Sequence, residues 1–411
     1  MGGTAGRSGG NALHHWVEVS EERLAGNFRA VAEAAGNDTE VLAVVKANAY
    51  GHGAEACSVV LARAGARWLG VTDAGEGSRV RRALEANALR LGDARKPEIL
   101  VMCGFLPGDV EPMVEHGLTP VVWTAEQVEL LRGCAGARVH VEVDTGMGRQ
   151  GVRPGAALGE LFDAMGAAGI EMEGVFTHFC AAEAAHSEMT ETQERRFKAA
   201  VAQVRERRLT PAWVHAGSSS SVDNPAQAWP WLVELAKTVG ARAMVRCGIA
   251  LYGYCLPVEQ SQRIGGADTG SVRPRLRPAL RPVMTWKTRV LDVREVAAGE
   301  TVGYNATFIA PGPMRLALLP VGYADGLRRE LSSTNTRPGG WVMVRGRDGV
   351  ERRAPIVGRI SMNLTMVDVS GIEDVRFGDE VVLLGDGMTA DDHARLAGTI
   401  PYEILCGVRQ S

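Results

Sequence analysis

Eight short β-type runs recur along the first 255 residues, and their spacing constrains the fold more than any other feature of the chain. They occupy residues 41–47, 66–72, 98–103, 119–124, 139–146, 173–179, 211–217 and 243–253. Successive starts lie 20 to 38 residues apart, which is room for one helix and two loops, the unit that joins parallel strands with a right-handed crossover. The intervening segments 54–64, 125–132, 155–168 and 188–208 are rich in Ala, Glu, Arg and Leu, with apolar residues at helical intervals. Runs buried on both faces and alternating with helices predict a parallel sheet. Eight of them predict a closed (β/α)8 barrel of the TIM type, with a doubly wound open sheet as the alternative.

The texture changes after Gly253. Residues 256–278 carry Gly, Pro, Gln and Ser without periodicity, and 273–281 (RPRLRPALR) reads as solvated linker. Beyond them, β-type runs at 283–296, 315–321, 341–345, 355–369 and 380–384 are broken by Gly, Asp and Pro turns, and a helix is expected only at about 391–398. A chain of 411 residues exceeds what one core usually serves. The expected division is a flexible leader at 1–13, a barrel at 14–257, a linker at 258–278 and a smaller all-β domain at 279–411.

Charge and composition exclude several functions. Lys and Arg number 45 against 48 Asp and Glu, a net charge of −3, and aromatics are 5%. That leaves neither a basic excess for a phosphate backbone nor a stacking platform for bases, so no nucleic acid is expected. No run of 18 apolar residues suggests a membrane span. The first fifteen residues lack the apolar core of a signal peptide. Seven cysteines without a CxxC pair suit a reducing, cytoplasmic compartment. His14, His15 and His52 show no metal-ligand spacing, so no metal is expected.

In a barrel of this kind the active site lies at the C-terminal strand ends. Those ends carry Lys46 with Asn48 and Tyr50, then Asp144 and Arg149, His178, His215 and Arg246. Each has a bland reading: a strand-end lysine that snorkels, a histidine satisfied in the core. Their convergence from five or six strands favours a site. The seventh loop, HAGSSSS at 215–221, and the eighth, around Gly248 and Ile249, have the glycine and serine content that leaves backbone N–H groups free to hold phosphate. With a strand-end lysine able to bond an aldehyde, the expected cofactor is pyridoxal 5'-phosphate, its phosphate at Ser219, Gly248 and Ile249 and its aldehyde at Lys46.

Residues 43–53, AVVKANAYGHG, resemble the cofactor-lysine motif of the alanine racemase family. VDTGMGRQGV at 143–152, FTHF at 176–179, HAGSSSS at 215–221 and VRCGIALYG at 245–253 continue the match. So do VGYNATF at 302–308, PVGYADG at 320–326, VGRISMNLTMVDV at 357–369 and PYEILC at 401–406, so the resemblance runs from Trp16 to Cys406.

It implies a cytoplasmic homodimer with shared active sites that interconverts L- and D-alanine and supplies D-alanine for peptidoglycan. Lys46 would carry the cofactor and serve as one proton carrier. Tyr304 from the β domain of a second subunit would serve the opposite face of the substrate carbanion. A phenol with a pKa of about 10 is a poor base near neutrality, and His178 would assist it, with His215 and Arg246 behind. Arg246 would face the pyridine nitrogen. Arg149 would contact the phenolic oxygen of the cofactor and the substrate carboxylate. Tyr50 and Tyr402 would bond the phosphate, Tyr323 would line the substrate entry and Met362 would offer its backbone to the substrate.

Four positions depart from the family pattern. Glu142 stands where a carbamylated lysine is common, and is expected to supply that negative charge directly and orient Arg149. Asn363 replaces an aspartate, which bears on any contact there that needs a carboxylate; Cys247 replaces a proline and Ser218 an asparagine, which bears on the strictness for alanine over serine. A broader racemase of small amino acids is therefore one alternative. A barrel-type decarboxylase would carry glutamate rather than Arg246 near the pyridine nitrogen, and a non-enzymatic cofactor-binding barrel would lack the β domain.

Overall fold

The computed structural model describes residues 14–92, 96–134, 136–225, 230–259, 273–346 and 348–409, and they form two compact units. In chain order the first strands are β1 (His15–Val19), β2 (Thr39–Val44), β3 (Trp68–Val71), β4 (Glu98–Val101), β5 (Thr119–Val122), β6 (Arg138–Glu142), β7 (Glu171–Phe176), β8 (Trp213–His215) and β9 (Arg242–Cys247). There follow β10 (Met284–Arg289), β11 (Asp292–Val296), β12 (Thr301–Val302), β13 (Phe308–Ile309), β14 (Met314–Leu319), β15 (Trp341–Arg345), β16 (Glu351–Pro355), β17 (Thr365–Asp368) and β18 (Glu380–Leu384).

Residues Ser20–Val283 make one unit, and within it β2 to β9 close into a parallel barrel. The closing seam pairs β2 with β9 from Thr39↔Ala243 to Ala43↔Cys247. The strands are buried on both faces, with Leu42, Ala43, Leu69, Ile99, Val121, Val141 and Val214 all fully covered, as a sheet wrapped in helices requires. Helices Ala54–Ala64, Ala125–Leu130, Ala156–Ala168 and Glu188–Glu206 fill four of the expected intervals. Asp73, Thr124 and Ser187 each start a helix by accepting from an amide three residues on, which satisfies donors that a helix end otherwise leaves unpaired. Against this apolar wall stand buried polar side chains: His140, Glu142, Glu173, His215 and Arg246.

The other unit contains β1 and everything from Met284 onward. It holds an antiparallel sheet in the order β1-β10-β18-β15-β16, a three-stranded sheet β11-β14-β17 and the pair β12-β13, with two helices, Ala390–Ala397 and Pro401–Gly407. Two boundaries differ from the sequence reading. Residues 15–19 belong to this sheet rather than to the barrel domain, pairing with β10 from His15↔Thr288 to Val19↔Met284. Local pattern could not reveal this, because the partners are far apart in sequence: Lys287 Nζ reaches Glu18 across 269 positions.

The second difference concerns the expected linker at 258–278. Residues 260–272 lie outside the described residues, as does the leader at 1–13. Residues 275–277, however, are fastened to the barrel unit by the buried Asp223. Its Oδ1 accepts from the amides of Leu276 (2.8 Å) and Arg277 (3.1 Å), and its Oδ2 from Arg277 Nε (3.1 Å). Leu276 is buried with it. A composition rich in Arg and Pro hid a specific carboxylate anchor. Among the described residues no helix is long and apolar enough to cross a membrane.

Candidate active site

Lys46 directly follows β2 and Val45, at the C-terminal end of the barrel strand. The next four residues, Ala47, Asn48, Ala49 and Tyr50, all have φ between 52° and 54°, one turn of left-handed helix made without a glycine. Each such residue costs about 1–2 kcal/mol relative to a right-handed one, and strain of this kind persists only where the surroundings impose it. Here Glu76 clamps the turn, its Oε1 accepting from Asn48 N (3.1 Å) and its Oε2 from Thr72 N (2.9 Å). Asn48 Oδ1 accepts from Ala54 N at 2.9 Å. His52 Nδ1 lies 2.9 and 3.0 Å from the carbonyls of Ala49 and Tyr50. Carbonyls only accept, so Nδ1 carries the proton, and burial keeps the ring neutral by lowering its pKa to about 4.

The turn delivers Tyr50 to the eighth loop. A Cβ at Gly248 would stand 2.2 Å from the Tyr50 hydroxyl, so the phenol occupies the space that any other residue would fill. Ser219 Oγ accepts from Gly248 N (3.1 Å) and Ala250 N (3.3 Å), tying the seventh loop to the eighth, and Ile249 is buried between those amides in sequence. Ser221 Oγ in the same loop is a buried hydroxyl without a partner among the described residues. Two hydroxyls, close-set amides and a glycine cradle are the donor chemistry that a phosphate group uses, so these residues fit the expected cofactor. Cys247, beneath them, is a neutral thiol whose pKa burial pushes up to about 12.

Arg246 is the centre of the basic group. It is buried, and Nη1 lies 3.2 Å from His215 Nδ1, while Nη2 donates to Thr177 O (2.8 Å) and lies 3.1 Å from His178 Nδ1. Its guanidinium also sits 4.7 Å over the Phe176 ring. Burial lowers its pKa to about 10, with the Glu142 carboxylate opposing, so it stays charged near neutrality. His178 is lowered to about 3 by burial and then by the charges of Arg246, Arg149 and Lys46, which places those four groups in one electrostatic neighbourhood. His215 is lowered well below its ordinary value, by burial first and then by His140 and Arg246.

His140 is absent from the sequence reading. It stands mid-strand on β6, fully buried, with Nδ1 2.9 Å from His215 Nε2. The available signal was a histidine and a glutamate (His140, Glu173) between small or apolar neighbours inside barrel strands, rather than at their ends.

Arg149 is exposed and follows a loop that winds around Asp144, whose Oδ1 accepts from Gly146 N (2.9 Å) and Gly148 N (3.1 Å). Glu142 does not hold Arg149 as expected. Its Oε2 accepts instead from Gln150 Nε2, which also donates to Met102 O at 3.0 Å, and among the described residues no hydrogen bond joins Glu142 to Arg149. The neighbouring glutamine outcompetes the arginine because its side chain, half-buried, lies on the covered side of the loop. Glu142 acts on Arg149 and Arg246 through charge alone, and burial raises its own pKa.

The remaining expected residues lie in the β unit. Tyr304, Tyr323 and Met362 are all exposed, at 64%, 44% and 56%, and their segments are stitched together. Tyr323 N donates to Ser361 O (3.1 Å) and Ala324 N to Met362 O (2.9 Å). Gly322 has no room for a Cβ, which would meet Met362 O at 2.4 Å, and Gly303 lies against Arg359. With its carbonyl used, Met362 has its amide N–H left to offer. Tyr402 is half-buried on helix Pro401–Gly407, and just beyond that helix Arg409 N donates to Asp325 O (3.0 Å) in the turn that carries Tyr323. Asn363 is exposed.

Family models described as the N-terminal and C-terminal domains of alanine racemase match residues 19–256 and 283–411. The alanine racemase of Halothermothrix orenii is 35% identical to this chain, over 96% of it and 94% of the relative. A crystal structure of alanine racemase from Bacillus anthracis with bound L-Ala-P is similar at 28% identity and a TM-score of 0.77, covering 98% of this chain and 94% of that one. One from Bartonella henselae with covalently bound pyridoxal phosphate matches at 25% identity and a TM-score of 0.75, covering 97% and 98%.

Proposed function

This chain belongs to the alanine racemase family and is an isomerase acting on amino acids, and from that premise we propose that it interconverts L- and D-alanine by a two-base mechanism. The cofactor is pyridoxal 5'-phosphate, the two proton carriers are Lys46 and Tyr304 of the partner subunit, and the D-alanine serves peptidoglycan synthesis in the cytoplasm. Lys46, Tyr50, Ser219, Gly248, Ile249 and Tyr402 would hold the cofactor, with Arg149 at its phenolic oxygen and Arg246 at its ring nitrogen. When bound, it supplies an electron sink that acidifies the Cα–H of the amino acid.

Arg246 carries the reading. It is a buried cation with no carboxylate in ion-pair contact among the described residues, and both terminal nitrogens are held by acceptors. A guanidinium can only donate, so at a ring nitrogen it weakens the electron sink and favours return of the proton to Cα over its loss elsewhere. Because His178 Nδ1 accepts from Arg246, the neutral ring carries its proton on Nε2. That N–H is the group it offers to the hydroxyl oxygen of Tyr304 of the partner subunit, where a donor favours the deprotonated form that takes a proton from Cα.

Inversion needs one carrier on each face, and Lys46 serves the other. Arg149 fixes the substrate carboxylate, so that the Cα–H stands between them. Support for a shared site comes from the exposed Tyr304, Tyr323, Met362 and Leu364 in the β unit, an apolar group of the kind that marks an interaction surface.

The test is subunit complementation. Lys46→Ala and Tyr304→Phe homodimers are each expected to be inactive in racemisation. Mixing and exchanging their subunits should restore about a quarter of wild-type activity, because half of the dimers are hybrids with one intact site each. No recovery in proven hybrids would exclude a tyrosine acting across the interface.

A further inference from the structure

A chain of buried polar groups continues from Arg246 past the residues that the reaction uses. Its hydrogen positions can be derived one by one. Arg246 only donates, so His215 Nδ1, 3.2 Å from Nη1, accepts. Neutral His215 then carries its proton on Nε2 and donates to His140 Nδ1 at 2.9 Å. His140 in turn must carry its proton on Nε2. That nitrogen and Glu173 Oε2 are both buried without a hydrogen-bond partner among the described residues, and they face each other 3.8 Å apart. The other oxygen of Glu173 accepts from Arg138 Nη1 at 2.7 Å.

Two features of β7 are built around this arrangement. The pairing of β6 with β7 slips between Val139 and His140, which face Met172 and Gly174, so Glu173 is the one extra residue of a β-bulge. Bulges re-aim side chains at functional places. The next residue, Gly174, has no room for a side chain, since a Cβ would stand 2.5 Å from His140 Nδ1. One position supplies the carboxylate and its neighbour supplies the space for the ring.

We propose that Glu173 and His140 are positioning residues for the racemisation: Glu173 is the terminal acceptor that holds His140, and through it His215, as Nε2–H tautomers, so that His215 presents a lone pair to Arg246. Were His140 to carry its proton on Nδ1, it would meet the His215 N–H head-on. His215 would then turn an N–H toward the guanidinium, donor against donor, and Arg246 would lose one of the contacts that aim it. The proposal rests on the assignment of Arg246 to the cofactor ring.

The test reads the tautomers directly. Two-bond 15N–1H spectra of 15N-histidine-labelled holoenzyme at neutral pH, with His140→Phe used to identify signals, should show neutral His140 and His215 bearing the proton on Nε2. A proton on Nδ1, or an imidazolium, at either residue overturns the proposal, and this measurement needs no variant of Glu173 to fold. Glu173→Leu removes the acceptor and should convert His215 to a tautomer mixture, lowering kcat by about tenfold with little change in KM. Glu173→Gln keeps an acceptor oxygen and should restore the Nε2–H signals and bring kcat back to within a few-fold of wild type. Unchanged tautomers in Glu173→Leu, or altered tautomers at unchanged kcat, would refute the positioning role. Failure of the racemase reading would instead appear as wild-type enzyme with no α-proton exchange, whatever its tautomers.

Discussion

Gly248 illustrates how single atoms shape this site. Its φ of −119° and ψ of −83° fall outside the regions that residues with a Cβ favour, and the space a Cβ would need is occupied by the Tyr50 hydroxyl. Gly248→Ala is expected to displace that hydroxyl and weaken pyridoxal phosphate binding by about ten- to a hundredfold, the worth of one hydrogen bond to a charged group. Titrating the apoenzyme by absorbance reads the loss, with the urea midpoint measured alongside to separate it from a loss of fold. Equal affinity would move Tyr50 away from the phosphate. Lys46, His178, His215 and Arg246 were legible in the sequence because each is a polar residue at the end of an apolar strand. His140 and Glu173 were passed over, since a polar residue within a strand does not by itself say which face it takes, and the bulge that exposes Glu173 to His140 depends on the register between two strands. The partner of Glu142 was misread for a related reason: opposite charge pointed to Arg149, but the more covered side chain of the neighbouring Gln150 takes the carboxylate.

The element that the sequence concealed best is the turn after β2. KANAY is composed of residues that favour or tolerate an ordinary helix, and its first glycine comes only at Gly51. Its left-handed winding is imposed from outside by Glu76 and from within by Asn48 and His52. Relief of that strain is measurable. Ala47 is exposed, so Ala47→Gly removes no packed methyl group, and the gain from an unstrained left-handed residue exceeds the added freedom of the unfolded chain. Stability should be unchanged or rise by up to about 1 kcal/mol, the reverse of the usual Ala→Gly result. Urea unfolding checks it, and a clear loss would show that the turn is not strained. The barrel strands and four helices were legible because burial on both faces leaves continuous apolar runs. β1 was not, its partner strand lying 269 positions away.

Across the whole molecule, buried histidines set the response to acid. Burial lowers His140 and His178 to about 3 and His52 and His393 to about 4, and His215 well below its ordinary value. In the unfolded chain these rings take protons near pH 6.5. Between that value and the folded-state values the unfolded state binds more protons, so stability rises with pH and is lost as pH falls. Several rings act together, and the thermal midpoint should therefore drop steeply below about pH 6.5 while staying level from there to pH 8. A flat profile down to pH 5 would mean that these rings are charged in the folded protein.

The division of the chain has a consequence for its synthesis. β1 leaves the ribosome before the barrel, yet the residues that pair with it follow some 269 positions later. At ~5–20 residues per second that is a wait on the order of tens of seconds. The barrel unit consists wholly of the residues made in between, so it can finish folding while the segment HWVEV hangs as an unpaired edge, open to the wrong neighbour. A strand translated ahead of the barrel finds its place only after it.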